Sequence, residues 1–339
     1  MKRILLLLGS VFTCLSALFA KTIHDEVPRR VDADGHRLLM LVSGQGTPAV
    51  VFESGLGGGG GLYGWNIHKA VGRLTRVVSY SRAGMEGSEP GPKPRTAQQI
   101  AREMHTSLRN ANVAPPYVLV GHSFGGPCIR VYAHLFPEDV AGLVLVDPAQ
   151  EQAQEESEEE FPIWLEAQPV EKRREMERIL AKAREEMRVP LLHTLKGMEE
   201  VLAKEPEERR ESIRREWWCL LEENMTQNET MWARIPEAMR DEFTAFPLTI
   251  QQARAAWPLP DVPIILLTGM KVGAKGSPAK RALEAAVKQD WLKAHRDWLK
   301  KLPNARHIVL EESGHNIAVE APEVVMDAIR QVVEQAHRR

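Results

Sequence analysis

Hydrophobic and polar positions alternate along the chain in two periods. Short apolar runs rich in β-branched residues recur at Val27–Ala33, His36–Val42, Ala49–Phe52, Arg76–Tyr80, Tyr117–Val120, Gly142–Val146, Pro263–Thr268 and His307–Leu310. Each has the length of a strand and is bounded by turn formers. Between most of them lie stretches with helical spacing, about Trp65–Leu74, Ala97–Asn110, Phe124–Phe136, Pro278–Leu302 and Pro322–Ala336. Alternation of this kind predicts an α/β protein with a mostly parallel sheet covered by helices on both faces. The first two strands flank Asp34-Gly35, a hairpin signal, so the sheet should begin antiparallel.

One interval departs from this rhythm. Residues 148–258 hold no convincing strand but several charged amphipathic helical stretches, so they read as an inserted helical cap that splits the core into residues 21–147 and 259–339. The cap opens on Glu151, Glu155, Glu156, Glu158, Glu159 and Glu160, which fits a solvated helix face better than a cation site. Trp217, Trp218, Leu220, Leu221, Met225 and Trp232 either line a substrate cavity or form the cap's own core.

Residues 1–20 differ from everything after them, with Lys2 and Arg3, an apolar run from Ile4 to Phe19, and Ala20 before a polar stretch. This is the layout of a cleaved signal peptide, too short for a spanning helix, and it implies an exported, periplasmic or secreted protein. Beyond Cys14, only Cys128 and Cys219 remain, too few for a disulfide framework. The net charge of -2, with no basic stripe, argues against nucleic acid as a partner. No metal-ligand spacing such as HExxH or paired CxxC occurs, and no cofactor is implied.

The sharpest chemical signal is Gly121-His122-Ser123-Phe124-Gly125, directly after one apolar strand and directly before a helix. A sharp strand-to-helix turn needs glycines on either side and leaves the Ser123 hydroxyl exposed above the sheet, near N–H groups at the helix start. A hydroxyl attacks poorly unless a base removes its proton. Among eleven histidines, His315 in Ser313-Gly314-His315-Asn316 lies after the last strand and before the last helix, where such a base is expected. His122 is a poor choice, since adjacent residues on the turn point apart, and it reads as a supporting group.

These motifs, with Phe52-Glu53-Ser54-Gly55-Leu56-Gly57 and Tyr80-Ser81-Arg82-Ala83-Gly84, resemble the α/β-hydrolase superfamily over nearly the whole mature length. The resemblance implies the α/β-hydrolase fold, Ser123 as nucleophile, His315 as general base, and an oxyanion hole from the N–H groups of Leu56 and Phe124. Many members carry His-Gly where this chain has Ser54-Gly55, and Asp where it has Ser81. The run Gly57–Gly61 either admits substrate closely or is a loop tip. The acid that usually follows the penultimate strand is missing from Leu267-Thr268-Gly269-Met270-Lys271-Val272-Gly273. Some members, including certain haloalkane dehalogenases and pancreatic-type lipases, place it one strand earlier, which points to Asp147. Asp290, Asp297 or a dyad without an acid are the alternatives. The expected activity is hydrolysis of a small-molecule carboxylic ester through an acyl-enzyme. The same machinery serves an amidase, peptidase or acyltransferase, and a fold retained only for binding is the reading from another class.

Overall fold

A computed structural model describes residues 27–58, 67–150, 237–273, 278–302 and 304–339. The expected leader (1–20) and most of the expected cap (151–236), including its tryptophans, acidic run and Cys219, lie outside the described residues. Eight strands, β1 (Arg29–Asp32), β2 (Arg37–Ser43), β3 (Ala49–Glu53), β4 (Val77–Tyr80), β5 (Tyr117–His122), β6 (Val140–Val146), β7 (Ile264–Gly269) and β8 (Arg306–Leu310), form one sheet. Its order is β1-β2-β4-β3-β5-β6-β7-β8. Pairings of β1 with β2 and of β2 with β4 are antiparallel, and every other pairing is parallel. The antiparallel start follows from local chemistry. Asp34 and Gly35 take φ of +74° and +88°, and the Ala33 N–H closes the turn on the His36 carbonyl, the geometry a tight hairpin favours.

The longest helices of the described core are α1 (Ala97–Asn110), α2 (Gly125–Leu135), α3 (Glu237–Ala255), α4 (Pro278–Leu299) and α5 (Pro322–Ala336). Side chains alternate across the parallel strands, so each strand feeds two cores. Val51, Leu119, Leu143 and Leu266 face Ile100 and Met104 of α1 and Ile129 and Tyr132 of α2. Val50, Val120, Val144 and Ile265 face Val325, Ile329 and Val332 of α5, together with Ile67 and Val71. Cys128 is buried on α2 and unbridged. Among the described residues no helix is long and apolar enough to cross a membrane. The carboxyl ends of the parallel strands β3, β5, β6 and β7 all open toward one edge, where α3 returns the chain from the expected cap region.

Candidate active site

Ser123 follows β5 immediately and takes φ of +50°, a region that a residue with a side chain enters at a steric penalty. Neighbouring contacts hold it there. The Ser123 N–H donates to the Val146 carbonyl at 3.1 Å, while the Ser123 carbonyl accepts from Gly126 and Ala149, both at 2.9 Å. Gly125 runs so close to β3 that a Cβ would overlap the Glu53 carbonyl, and a Cβ on Gly121 would meet the backbone of Gly125 at 2.6 Å. The two glycines of the pentapeptide are thus required by close approach.

Asp147 follows β6 in the same way, with φ of +43°. It is buried, and its Oδ2 lies 2.7 Å from His315 Nδ1, while Oδ1 accepts from the Gly269 N–H at 3.1 Å. With both Asp147 oxygens accepting, Nδ1 is the donor of this pair, and Nε2 is the ring nitrogen left for another partner. The His315 side chain is 43% exposed. Its loop is fixed by bonds from Lys271 N–H to the Ser313 carbonyl (2.9 Å) and from Gly314 N–H to Glu320 Oε2 (3.0 Å). Two aromatic rings flank the imidazole. His122 lies at 4.7 Å between centroids, and Trp291 of α4 meets it edge-on at 6.0 Å.

His122 supports this arrangement, since its Nε2 donates to the His315 carbonyl at 2.9 Å. Burial drives its pKa down to about 4, so it stays neutral. Behind Asp147, the buried Thr268 hydroxyl bridges His295 Nδ1 (2.7 Å) and His307 Nε2 (2.8 Å), and burial lowers His295 to about 4 as well. A Cβ at Gly269 would overlap the Gly314 carbonyl, so the β7 end packs directly on the histidine loop and contributes only its N–H. Asp290 and Asp297 both lie on α4, where Asp297 pairs with Lys300.

On the other side of Ser123 the loop after β3 carries Leu56. Gly55 is so near the turn that its Cβ would lie 3.3 Å from Ser123 Cβ. Ser54, in place of the family's frequent histidine, donates through Oγ to the Gly58 carbonyl at 2.7 Å and closes the loop on itself. Gly57 turns at φ +63° beneath Met239 of α3. In this loop the N–H of Gly57 donates to Glu242 and that of Gly58 to the Gly55 carbonyl. The N–H groups of Leu56 and Phe124 have no hydrogen-bond partner among the described residues. Both flank the Ser123 turn, since Phe124 follows it in the chain and Gly55, before Leu56, packs against it. No cluster of three His, Cys, Asp or Glu that could hold a metal occurs among the described residues.

Sequence reasoning missed a buried charged group beneath that loop. Arg82, after β4, bonds Glu53 Oε1 at 2.6 Å and holds both oxygens of Glu242 on α3, at 2.6 and 2.8 Å. Tyr80 donates to the other Glu53 oxygen. Burial raises the Glu53 pKa, against the opposing pull of Arg82. Arg82 lies within the quoted motif, but nothing in sequence links it to Glu242.

Comparison with known proteins agrees with this fold. The sequence profile of the alpha/beta hydrolase family matches residues 50–328. Among curated relatives, the chain is 39% identical over 129 residues to "Probable transporter efuK" of Hormonema carpetanum, covering 36% of this chain and 18% of that protein. It is 35% identical over 103 residues to "Putative carbamate hydrolase RutD" of Cronobacter sakazakii, covering 30% and 38%. The chain thus spans less than half the length of either. Among solved structures, it matches a putative lipase of Acinetobacter baumannii AYE with a TM-score of 0.57 and 15% identity, covering 93% of both chains. Proline iminopeptidase of Mycobacterium smegmatis matches with a TM-score of 0.53 and 17% identity, covering 91% of this chain and 98% of that one.

Proposed function

The chain belongs to the alpha/beta hydrolase family, and from that premise we propose that it is a serine hydrolase cleaving a carboxylic ester. The observation carrying this reading is the 2.7 Å pair of His315 Nδ1 with Asp147, the residue that follows β6, the strand whose Val146 carbonyl holds the Ser123 N–H at its strained turn. Ser123 Oγ attacks the ester carbonyl carbon while its proton passes to His315 Nε2. Asp147 keeps the imidazole in the useful tautomer and stabilises the imidazolium. The N–H groups of Leu56 and Phe124 receive the charge that develops on the carbonyl oxygen. Collapse expels the alcohol, which takes the proton from His315 and leaves an acyl group on Ser123. Water, losing its proton to His315, then releases the carboxylic acid and restores the hydroxyl.

A serine rather than a carboxylate at the turn supports acyl chemistry over epoxide opening. The carbamate hydrolysis in the name of one relative is acyl chemistry too. Turnover of a series of p-nitrophenyl esters by the wild type, Ser123→Ala and His315→Ala tests the proposal. Wild-type turnover with both variants at background is expected, and full activity in Ser123→Ala would refute it. The leader at residues 1–20 further suggests export, which N-terminal sequencing of protein recovered outside the cytoplasm would check.

A further inference from the structure

The Arg82 cluster contains two carboxylates and one guanidinium, all at 1% exposure or less. Withdrawing these charges from water is expensive, and a well-packed apolar group of similar volume would stabilise the fold at least as well. Its contacts point to a different use. Beyond the carboxylates, Arg82 donates to the Ser54 carbonyl at 2.8 Å and, through Nη2, to the Gly55 carbonyl at 2.7 Å. The Gly55 carbonyl and the Leu56 N–H belong to one peptide unit. In a trans peptide these two groups point in opposite directions, so fixing the carbonyl on Arg82 aims the N–H away from it. On the far side of Leu56, the Gly57 N–H donates to Glu242 Oε2 at 3.2 Å. Both peptides flanking Leu56 are therefore tied to one ion pair.

The same pair reaches the second donor. The Arg82 guanidinium lies 5.2 Å from the centre of the Phe124 ring, and Phe246, on the helix that carries Glu242, stacks on that ring at 5.9 Å. Because Glu53 and Glu242 surround Arg82, the cluster projects no net positive charge at the cleft. Its influence is geometric.

We infer that the Arg82–Glu242 pair positions the oxyanion hole, so that α3, the returning helix of the cap segment, sets the orientation of the Leu56 N–H. The inference rests on the reading of Leu56 as an oxyanion donor. Arg82 and Glu242 are positioning residues, since they act through the backbone. A hydrogen bond to the carbonyl also polarises the N–H of the same peptide.

The test uses the full chain with Glu242→Gln and Arg82→Lys. In the first variant the side-chain amide keeps an acceptor for the Gly57 N–H but loses the ion pair. In the second, one ammonium cannot serve two carbonyls and two carboxylates. Each variant is assayed for kcat and KM on a p-nitrophenyl ester, for affinity toward an aryl trifluoromethyl ketone that forms a tetrahedral adduct, and for folding by circular dichroism. Loss of one oxyanion donor lowers kcat by about 10²–10³-fold. A misaimed donor should thus lower kcat by about 30- to 100-fold, with KM within about twofold and ketone affinity falling in parallel. Should Arg82→Lys fail to fold, Glu242→Gln decides alone. Folded variants with wild-type kcat and ketone affinity would overturn the inference and leave the esterase reading intact. A wild type that neither turns over ester nor binds the ketone would overturn both.

Discussion

The two sides of Ser123 are built on opposite principles. On the proposed acid–base side, His315 is 43% exposed, joined to a single buried carboxylate, and flanked by neutral rings. On the proposed oxyanion side, the groups that would meet substrate are backbone N–H groups, yet the support beneath them is a buried cluster of one guanidinium and two carboxyl groups. A group that must gain and lose a proton needs access and a partner that follows its charge. A backbone dipole that must not move is better held by short, many-sided bonds in a low-dielectric interior, where they are strong and rigid.

The largest effect expected from breaking this contrast lies on the acid–base side. Asp147→Asn keeps the shape but places a donor amide opposite His315 Nδ1–H, favouring the wrong tautomer. Steady-state kinetics should show kcat lower by about 10³- to 10⁴-fold with little change in the melting curve. Retention of more than a tenth of the activity would return the role to Asp290 or Asp297, or to a dyad.

Histidine protonation separates the two uses of imidazole. Burial lowers His68, His122 and His295 to about 4, whereas the unfolded chain binds those protons near pH 6.5. Between about pH 6.5 and 4 the unfolded state therefore carries more protons, and stability must fall as pH falls through that window. Each histidine contributes at most about 1.4 kcal/mol per pH unit. Urea midpoints from pH 7 to pH 4 measure this, and a flat profile would show that the three are hydrated.

Gly269→Ala addresses the contact that joins the two strand ends. Its Cβ would overlap the Gly314 carbonyl, so unfolding free energy should drop by about 2–4 kcal/mol, with His315 displaced and activity lost in proportion. The smallest effect is expected for Trp291→Leu, which removes one ring edge from His315. An aromatic pair contributes about 0.5–1.5 kcal/mol, so kcat should fall about two- to tenfold. A loss as large as that of Asp147→Asn would mean that Trp291 does more than pack.

Much of this fold is legible in sequence because its signals are local. Strand runs, the Asp34-Gly35 turn and the start and end of α1 and α5 follow from neighbours only, and they agree with the observed bounds to within a few residues. The turn at Ser123 is legible for the same reason. The meeting of Asp147 with His315 spans 168 residues. Strand-end acids are common, so its place in the sequence required the family resemblance to single it out. Arg82 and Glu242 stand 160 residues apart, and a glutamate on an amphipathic helix looks like any solvated residue until α3 is laid across the Leu56 loop. Nothing in composition or spacing announces a charge that the fold will bury.

The central claim is that Ser123 carries the acyl group. Rapid quenching of the full chain during turnover of a slowly deacylating p-nitrophenyl ester, such as the trimethylacetate, followed by mass analysis of its peptides, tests this directly. An acyl mass is expected on the wild-type peptide containing Ser123, formed in step with the first burst of p-nitrophenol and absent from Ser123→Ala. An acyl group on any other residue, or undiminished turnover by Ser123→Ala, would contradict it.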